Sequence, residues 1–193
     1  MLRMIGWTAL ALVAGVVLFL AATIRVIEPQ PETSDPPAPA QIESGPSQFV
    51  VPVQGVGPAA LRRDWGDARD GGARTHQGLD IMAPAGAPVV AAADGVVEKL
   101  YFSKGGGGIT LYQRARGGLM LYYAHLRAYA EGIAEGRRVR AGETIGYVGD
   151  SGNAGTGNYH LHFAVARMAA GERWWQGTPI DPYPLLARAR SGR

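Results

Sequence analysis

Tyr159-His160-Leu161-His162-Phe163-Ala164-Val165 decides how the rest of this chain is read. Aromatic and β-branched residues dominate it, and a glycine-rich turn from Gly152 to Gly157 precedes it, so a β-strand is predicted. Residues two apart on a strand point to the same face. His160 and His162 therefore project together, while Leu161, Phe163 and Val165 project the other way, into a core. Two imidazoles on one sheet face are costly to bury without partners. A metal ion or a catalytic role accounts for the pair; two hydrogen-bonded surface histidines are the plainer reading.

The four histidines of the chain, His76, His125, His160 and His162, make placement informative. There is no cysteine, which excludes a disulfide framework and a thiolate metal site, so a transition metal would need imidazole and carboxylate donors. The 193 residues allow one ordinary domain with additions. With 28 Gly and 13 Pro, many turns and a β-rich fold are expected.

Ile5 to Ile24 is an apolar run without a charge. Its length, about 20 residues, suits a bilayer-spanning helix. Arg3 precedes it, which places the chain's start (1–4) in the cytoplasm and the remainder outside. The expectation is a single transmembrane anchor over 5–27 in the cytoplasmic (inner) membrane, with the following domain in the periplasm or its extracytoplasmic equivalent. A cleaved signal peptide is the competing reading; its apolar region would be shorter, roughly 7–15 residues, and end in small residues. Residues 28–48 are rich in Pro, acidic and nearly free of large apolar groups. They cannot bury enough surface to fold and are expected to form an extended tether.

From Phe49 the composition changes, and a domain is expected over 49–187, with a basic tail at 188–193. Short apolar runs alternate with turns: Val50 to Val53, Pro88 to Ala93, Gly95 to Tyr101, Ile109 to Gln113, Leu119 to Ala124 and Thr144 to Val148. Turns such as Lys104 to Gly108 and Gly149 to Gly152 separate them. The fold class expected is all-β dominated, an antiparallel sandwich or open barrel. The one helical candidate is Leu126 to Glu135, broken by Gly132.

The second informative stretch is Arg74-Thr75-His76-Gln77-Gly78-Leu79-Asp80-Ile81. Gly78 and Pro84 argue against a helix, and on a strand His76, Gly78 and Asp80 share a face. Gly78 adds no side chain, leaving room for an ion. His76, Asp80 and one histidine of the pair would make a His₂Asp set, the three-ligand arrangement of a catalytic zinc with a position left for water. His125, at the end of an apolar strand, is by itself an ordinary hydrogen-bonded residue. It gains a role in polarising water or stabilising an oxyanion only if the fold brings it to the same pocket.

Taken together these segments resemble the lysostaphin-like, LytM-type zinc metallopeptidases that cleave peptide cross-links of bacterial peptidoglycan. The matching pieces are Trp65 to Arg69, His76 to Ile81, Ala83 to Val89 with Ala93 to Val97, Tyr123 to Leu126, Val139 to Gly146, Gly149 to Gly152 with Gly155 to Gly157, and His160 to Phe163, in family order across Asp64 to Leu186. The resemblance implies the LytM (duplicated hybrid motif) fold. It also implies His76, Asp80 and His162 as zinc (Zn2+) ligands, His125 and His160 as catalytic histidines, and peptidoglycan peptide stems as substrate. Glycyl-glycine-cutting members carry a Tyr shortly before the first ligand. Here Asp70 to Arg74 stands instead, closer to members from Gram-negative bacteria, whose substrates are cross-links between D-amino acids and diaminopimelate. Arg74 is a candidate for supplying positive charge towards substrate or oxyanion. Trp174 and Trp175 either line a substrate groove or pack at the domain end.

Two other readings have a place. Some relatives with this fold are non-catalytic regulators that activate other wall hydrolases, usually having lost zinc ligands; a regulatory protein partner is compatible with either role. A biotinyl- or lipoyl-type carrier, suggested by Val139 to Gly149, needs a lysine at a hairpin tip, and the two lysines, Lys99 and Lys104, are not in such a motif. From Phe49 onward 17 basic residues face 12 acidic ones, a mild excess suited to an anionic wall or to an ordinary solvated surface. No nucleic-acid motif accompanies it.

Overall fold

The computed structural model describes residues 49–192. The expected cytoplasmic end, membrane helix and tether (1–4, 5–27 and 28–48) lie outside the described residues. Among those described, no helix is long and apolar enough to cross a membrane.

The described residues form thirteen strands: β1 (Val50–Gln54), β2 (Ala68–Arg69), β3 (Arg74–Thr75), β4 (Leu79–Met82), β5 (Pro88–Val90), β6 (Gly95–Ser103), β7 (Gly108–Ala115), β8 (Leu119–Tyr129), β9 (Arg138–Val139), β10 (Thr144–Val148), β11 (His160–Arg167), β12 (Thr178–Ile180) and β13 (Arg190–Gly192). One short helix, α1 (Tyr183–Leu186), precedes β13. Eleven strands form one sheet in the order β13-β1-β5-β10-β8-β7-β6-β9, and β11 branches from it, pairing with β8, β4 and β12. β2 and β3 pair separately. Pairings are antiparallel except β1 with β13, which is parallel and brings residues expected as a tail into the sheet. Among the described residues no strand pairing closes the sheet into a barrel.

The branch is built on β8. Its Leu119–Ala124 portion pairs with β11, and its Leu126–Tyr129 portion pairs with β10. At the junction, His125 has φ 59°, the one non-glycine residue with positive φ among those described. This left-handed conformation costs energy and persists only where the surroundings enforce it. Here the His125 N–H donates to Gly107 O at 2.7 Å, which holds the kink. The expected helix from Leu126 is therefore wrong: β8 runs on to Tyr129 because it finds a second partner there, and turns follow.

Alternation on β11 comes out as expected. Leu161, Phe163 and Val165 are at most 1% exposed and join a core with Val51, Val53, Leu79, Leu121, Tyr123 and Ile145. Tyr123, opposite Phe163 on β8, packs its ring 5.3 Å from that of Phe163. Its hydroxyl donates to Gln113 Oε1 (2.6 Å) and accepts the Ala92 N–H (2.9 Å), and Gln113 Nε2 donates to Ala93 O (2.6 Å). This buried polar pin ties the chain after β5 to β7 and β8.

Candidate active site

The segment from His76 to Asp80 is not one strand, as expected, but a link followed by β4, which begins at Leu79. β4 pairs antiparallel with β11 in a register that sets Asp80 opposite His162. Gly78 does leave room, but for the imidazole of His162: a Cβ at 78 would stand 2.6 Å from its Cε1 and 2.7 Å from its Nε2. His76 and His162 then meet with ring centroids 5.0 Å apart.

Three donor atoms converge. His76 Nε2 lies 3.1 Å from His162 Nδ1 and 3.1 Å from Asp80 Oδ1, and His162 Nδ1 lies 3.0 Å from the same oxygen. The proton on His76 is assigned by its other nitrogen. Nδ1 is 2.9 Å from the carbonyl of Asp64, and a carbonyl only accepts, so Nδ1 carries the proton and Nε2 presents a lone pair. Arg69 also approaches that Nδ1, at 2.9 Å, but its hydrogen bond goes to Asp80 Oδ2 at 2.7 Å, since a protonated nitrogen cannot accept it. A nitrogen lone pair and a carboxylate oxygen at van der Waals contact repel unless a cation or proton sits between them. Four-coordinate zinc with bonds of ~2.0–2.1 Å sets its donors about 3.3 Å apart, so this triangle fits such an ion. With no ion between them, the electrostatics favour a proton shared in that place. Burial alone would raise the Asp80 carboxyl, but hydrogen bonds and charge from His162 and His76 hold it well below the usual carboxylate range. Burial pulls His76 down, yet Asp80 and the Asp64 carbonyl outweigh it and leave the group above its ordinary value.

The other two histidines stand beside this triangle. The rings of His125 and His160 lie 4.8 Å apart, and His125 lies 6.0 Å from His162. Each donates Nδ1–H to a backbone carbonyl, His125 to Ser151 O and His160 to Asn158 O, both at 2.8 Å. That fixes the tautomer and leaves each Nε2 as an acceptor. Burial pushes His125 down to about 4, with the neighbouring histidines adding to the effect against the pull of the Ser151 carbonyl, so the ring is neutral near pH 7. The left-handed backbone at His125 delivers this ring to the pocket, and all five side chains expected from the sequence meet in one place.

The profile of Peptidase family M23 matches residues 74–182, a span that contains all five. The chain belongs to this family.

Among curated relatives, the L-Ala–D-Glu endopeptidase of Bacillus subtilis is 37% identical over 154 residues, 75% of this chain and 44% of that protein. The DD-carboxypeptidase/endopeptidase Mpg of Neisseria meningitidis is 43% identical over 109 residues, 56% of this chain and 22% of that protein. The chain thus spans less than half the length of these relatives. The murein hydrolase activator EnvC of Escherichia coli is also similar, 33% identical over 112 residues, 58% of this chain and 24% of that protein. Among solved structures, the catalytic domain of lysostaphin from Staphylococcus simulans superposes with TM-score 0.55 at 28% identity, covering 65% of this chain and 90% of that one.

In this M23 domain the five side chains lie in an open groove of about 550 Å³ that also takes in Arg69, Arg74, Tyr112, Tyr122, Trp174 and Trp175. Both tryptophans line this groove and differ in packing. Trp174 packs against Tyr112 (4.6 Å) and Tyr101 (5.5 Å), whereas Trp175 is braced by Trp174 and is 54% exposed. The sequence reading assigned no role to Asp64 or Arg69, or to the Ser151 and Asn158 carbonyls that orient the histidines. Asp64 and Arg69 carried one signal: Asp64 precedes and Arg69 ends the Trp65 to Arg69 segment at which the resemblance begins. The carbonyls carried none, because any residue supplies one.

Proposed function

We propose that this chain is a membrane-anchored zinc endopeptidase that hydrolyses peptide bonds of bacterial peptidoglycan from the outer side of the cytoplasmic membrane. The observation that carries it is the division among the four histidines: His76 Nε2 and His162 Nδ1 converge on one Asp80 oxygen, while His125 and His160 give Nδ1–H to backbone carbonyls and keep Nε2 for proton transfer. In this reading His76 Nε2, Asp80 Oδ1 and His162 Nδ1 would hold the ion. Zinc, when bound, supplies a Lewis acid and a water acidified to roughly pKa 7. His160 and His125 each give Nδ1–H to a carbonyl, which leaves Nε2 as the acceptor. One takes a proton from the attacking water, its positive charge steadied by the carbonyl on Nδ1, and returns the proton to the leaving amine. The other, when protonated, donates Nε2–H towards the developing oxyanion. The names of the relatives support a peptidoglycan stem as substrate and differ over the bond, L-Ala–D-Glu in one and a DD linkage in another.

A second reading, an activator of other wall hydrolases, is favoured by the likeness to EnvC. The intact five-residue constellation supports the enzyme instead, since an activator needs neither the converging donor set nor the acceptor pair. Purified chain carrying stoichiometric zinc, and releasing soluble muropeptides from sacculi with the cut bond read by mass spectrometry, is the expected outcome. Sacculi left intact by the zinc-loaded chain, but cut when a separate hydrolase is added, would establish the activator.

A further inference from the structure

Asp80 divides its two oxygens between different tasks. Oδ1 faces His76 Nε2 and His162 Nδ1, while Oδ2 accepts a hydrogen bond from Arg69 at 2.7 Å. The backbone around it is also held: the Asp80 N–H donates to Asp64 Oδ2 at 3.2 Å, and the Asp64 carbonyl receives the His76 ring proton. Arg69 comes within 3.8 Å of Asp64 Oδ2 as well. We infer that Arg69 is a positioning residue for the metal site, holding one oxygen of Asp80 so that the other alone is offered to the ion. This rests on the zinc reading proposed above.

A carboxylate free to rotate about its Cβ–Cγ bond can chelate an ion with both oxygens, or turn away from it. A charge-assisted hydrogen bond on Oδ2 removes both options. Partners of this kind orient metal ligands and carry much of a site's affinity. The turn that carries Arg69 does not depend on its side chain. Gly66 N–H bonds to His76 O and His76 N–H bonds to Asp67 O, each at 2.8 Å, so backbone bonds alone fasten the turn to the link bearing His76. The Arg69 side chain is 38% exposed, so its replacement leaves little buried volume to refill.

The sign of the effect separates positioning from charge. A guanidinium this close to a divalent cation repels it, so by charge alone, removing Arg69 would tighten metal binding. Positioning predicts the opposite. The test is a zinc titration of the full chain in mild detergent against a competing chelator, for wild type and Arg69→Met. It is paired with the visible spectrum of the cobalt-loaded proteins and thermal unfolding of both without metal. The expected result is zinc binding weakened about 10–100-fold, a changed cobalt spectrum and an unchanged unfolding temperature. Arg69→Gln, which keeps a polar head, serves the same comparison if the Met variant does not fold. Equal or tighter zinc binding with the wild-type cobalt spectrum overturns the inference, as does a variant altered in KM alone, which would make Arg69 a substrate contact. A wild-type chain that takes up no metal overturns the zinc reading itself, whereas a metal-binding wild type matched by its variants overturns only the role of Arg69.

Discussion

The two faces of β11 do opposite things with the same backbone. On one side Leu161, Phe163 and Val165 are sealed in the core. On the other, His160 is buried against polar neighbours, and His162 is part-buried with its Nδ1 against Asp80 and His76. The core face stabilises by apolar burial, on the order of 1.5–3 kcal/mol for a side chain of this size. The site face gathers imidazole nitrogens and a carboxylate around one position that a cation would share. Folding and chemistry are therefore expected to come apart under mutation, although their residues alternate along one strand.

The largest effect is expected at His162→Ala. Zinc binding and wall hydrolysis should both disappear, with the metal-free His162→Ala chain melting no earlier than wild type; His76→Ala and Asp80→Ala should match the losses of zinc and hydrolysis. Elemental analysis, sacculus digestion and a thermal melt check the three parts; zinc retained at full stoichiometry would break the assignment. His125→Ala, in the pocket but outside the donor triangle, should lower the rate by about 10²–10⁴ and leave the zinc content alone. His160→Ala should behave in the same way. Full hydrolysis by His125→Ala would remove it from the chemistry. Phe163→Ala tests the other face: a loss of roughly 3–5 kcal/mol in unfolding free energy is expected, with the folded fraction still binding zinc. If Phe163→Ala instead lost metal affinity while keeping its stability, the separation of faces would fail.

How much of this was legible beforehand follows the range of the interactions. The strand β11 and its two faces were, because alternation is local. The convergence of His76, Asp80 and His162 was legible only as a set of residue types. Their register depends on β4 pairing with β11, across some eighty residues of chain. The space at Gly78 is legible in the sequence but its occupant is not, since the ring it admits arrives from β11. The helix expected after His125 failed for a related reason. Residues from Leu126 gain from pairing with β10, a partner local propensity does not register, and one left-handed residue lets β8 change partners without ending. Arg69 and the carbonyls behind His125 and His160 escaped notice because they act on other residues rather than on a ligand.

The smallest effect tests how the core face is tied to the rest of the sheet. Tyr123 lies opposite Phe163 and is fully buried, with its hydroxyl between Gln113 Oε1 and the Ala92 N–H. Tyr123→Phe keeps the ring and its packing and deletes that hydroxyl alone. Gln113 still reaches Ala93 O through Nε2, but its Oε1 loses a donor, and the Ala92 N–H loses an acceptor where water has little access. Leaving buried groups of this kind unpaired costs about 1–3 kcal/mol, more than the hydrogen bond itself contributes. A lower unfolding temperature with zinc affinity and hydrolysis at wild-type levels is expected, because Tyr123 points away from the groove that its neighbours Tyr122 and Ala124 line. A loss of hydrolysis without loss of stability would mean that the core face tunes the site across the thickness of the strand, and the two faces of β11 would then have to be treated as one unit.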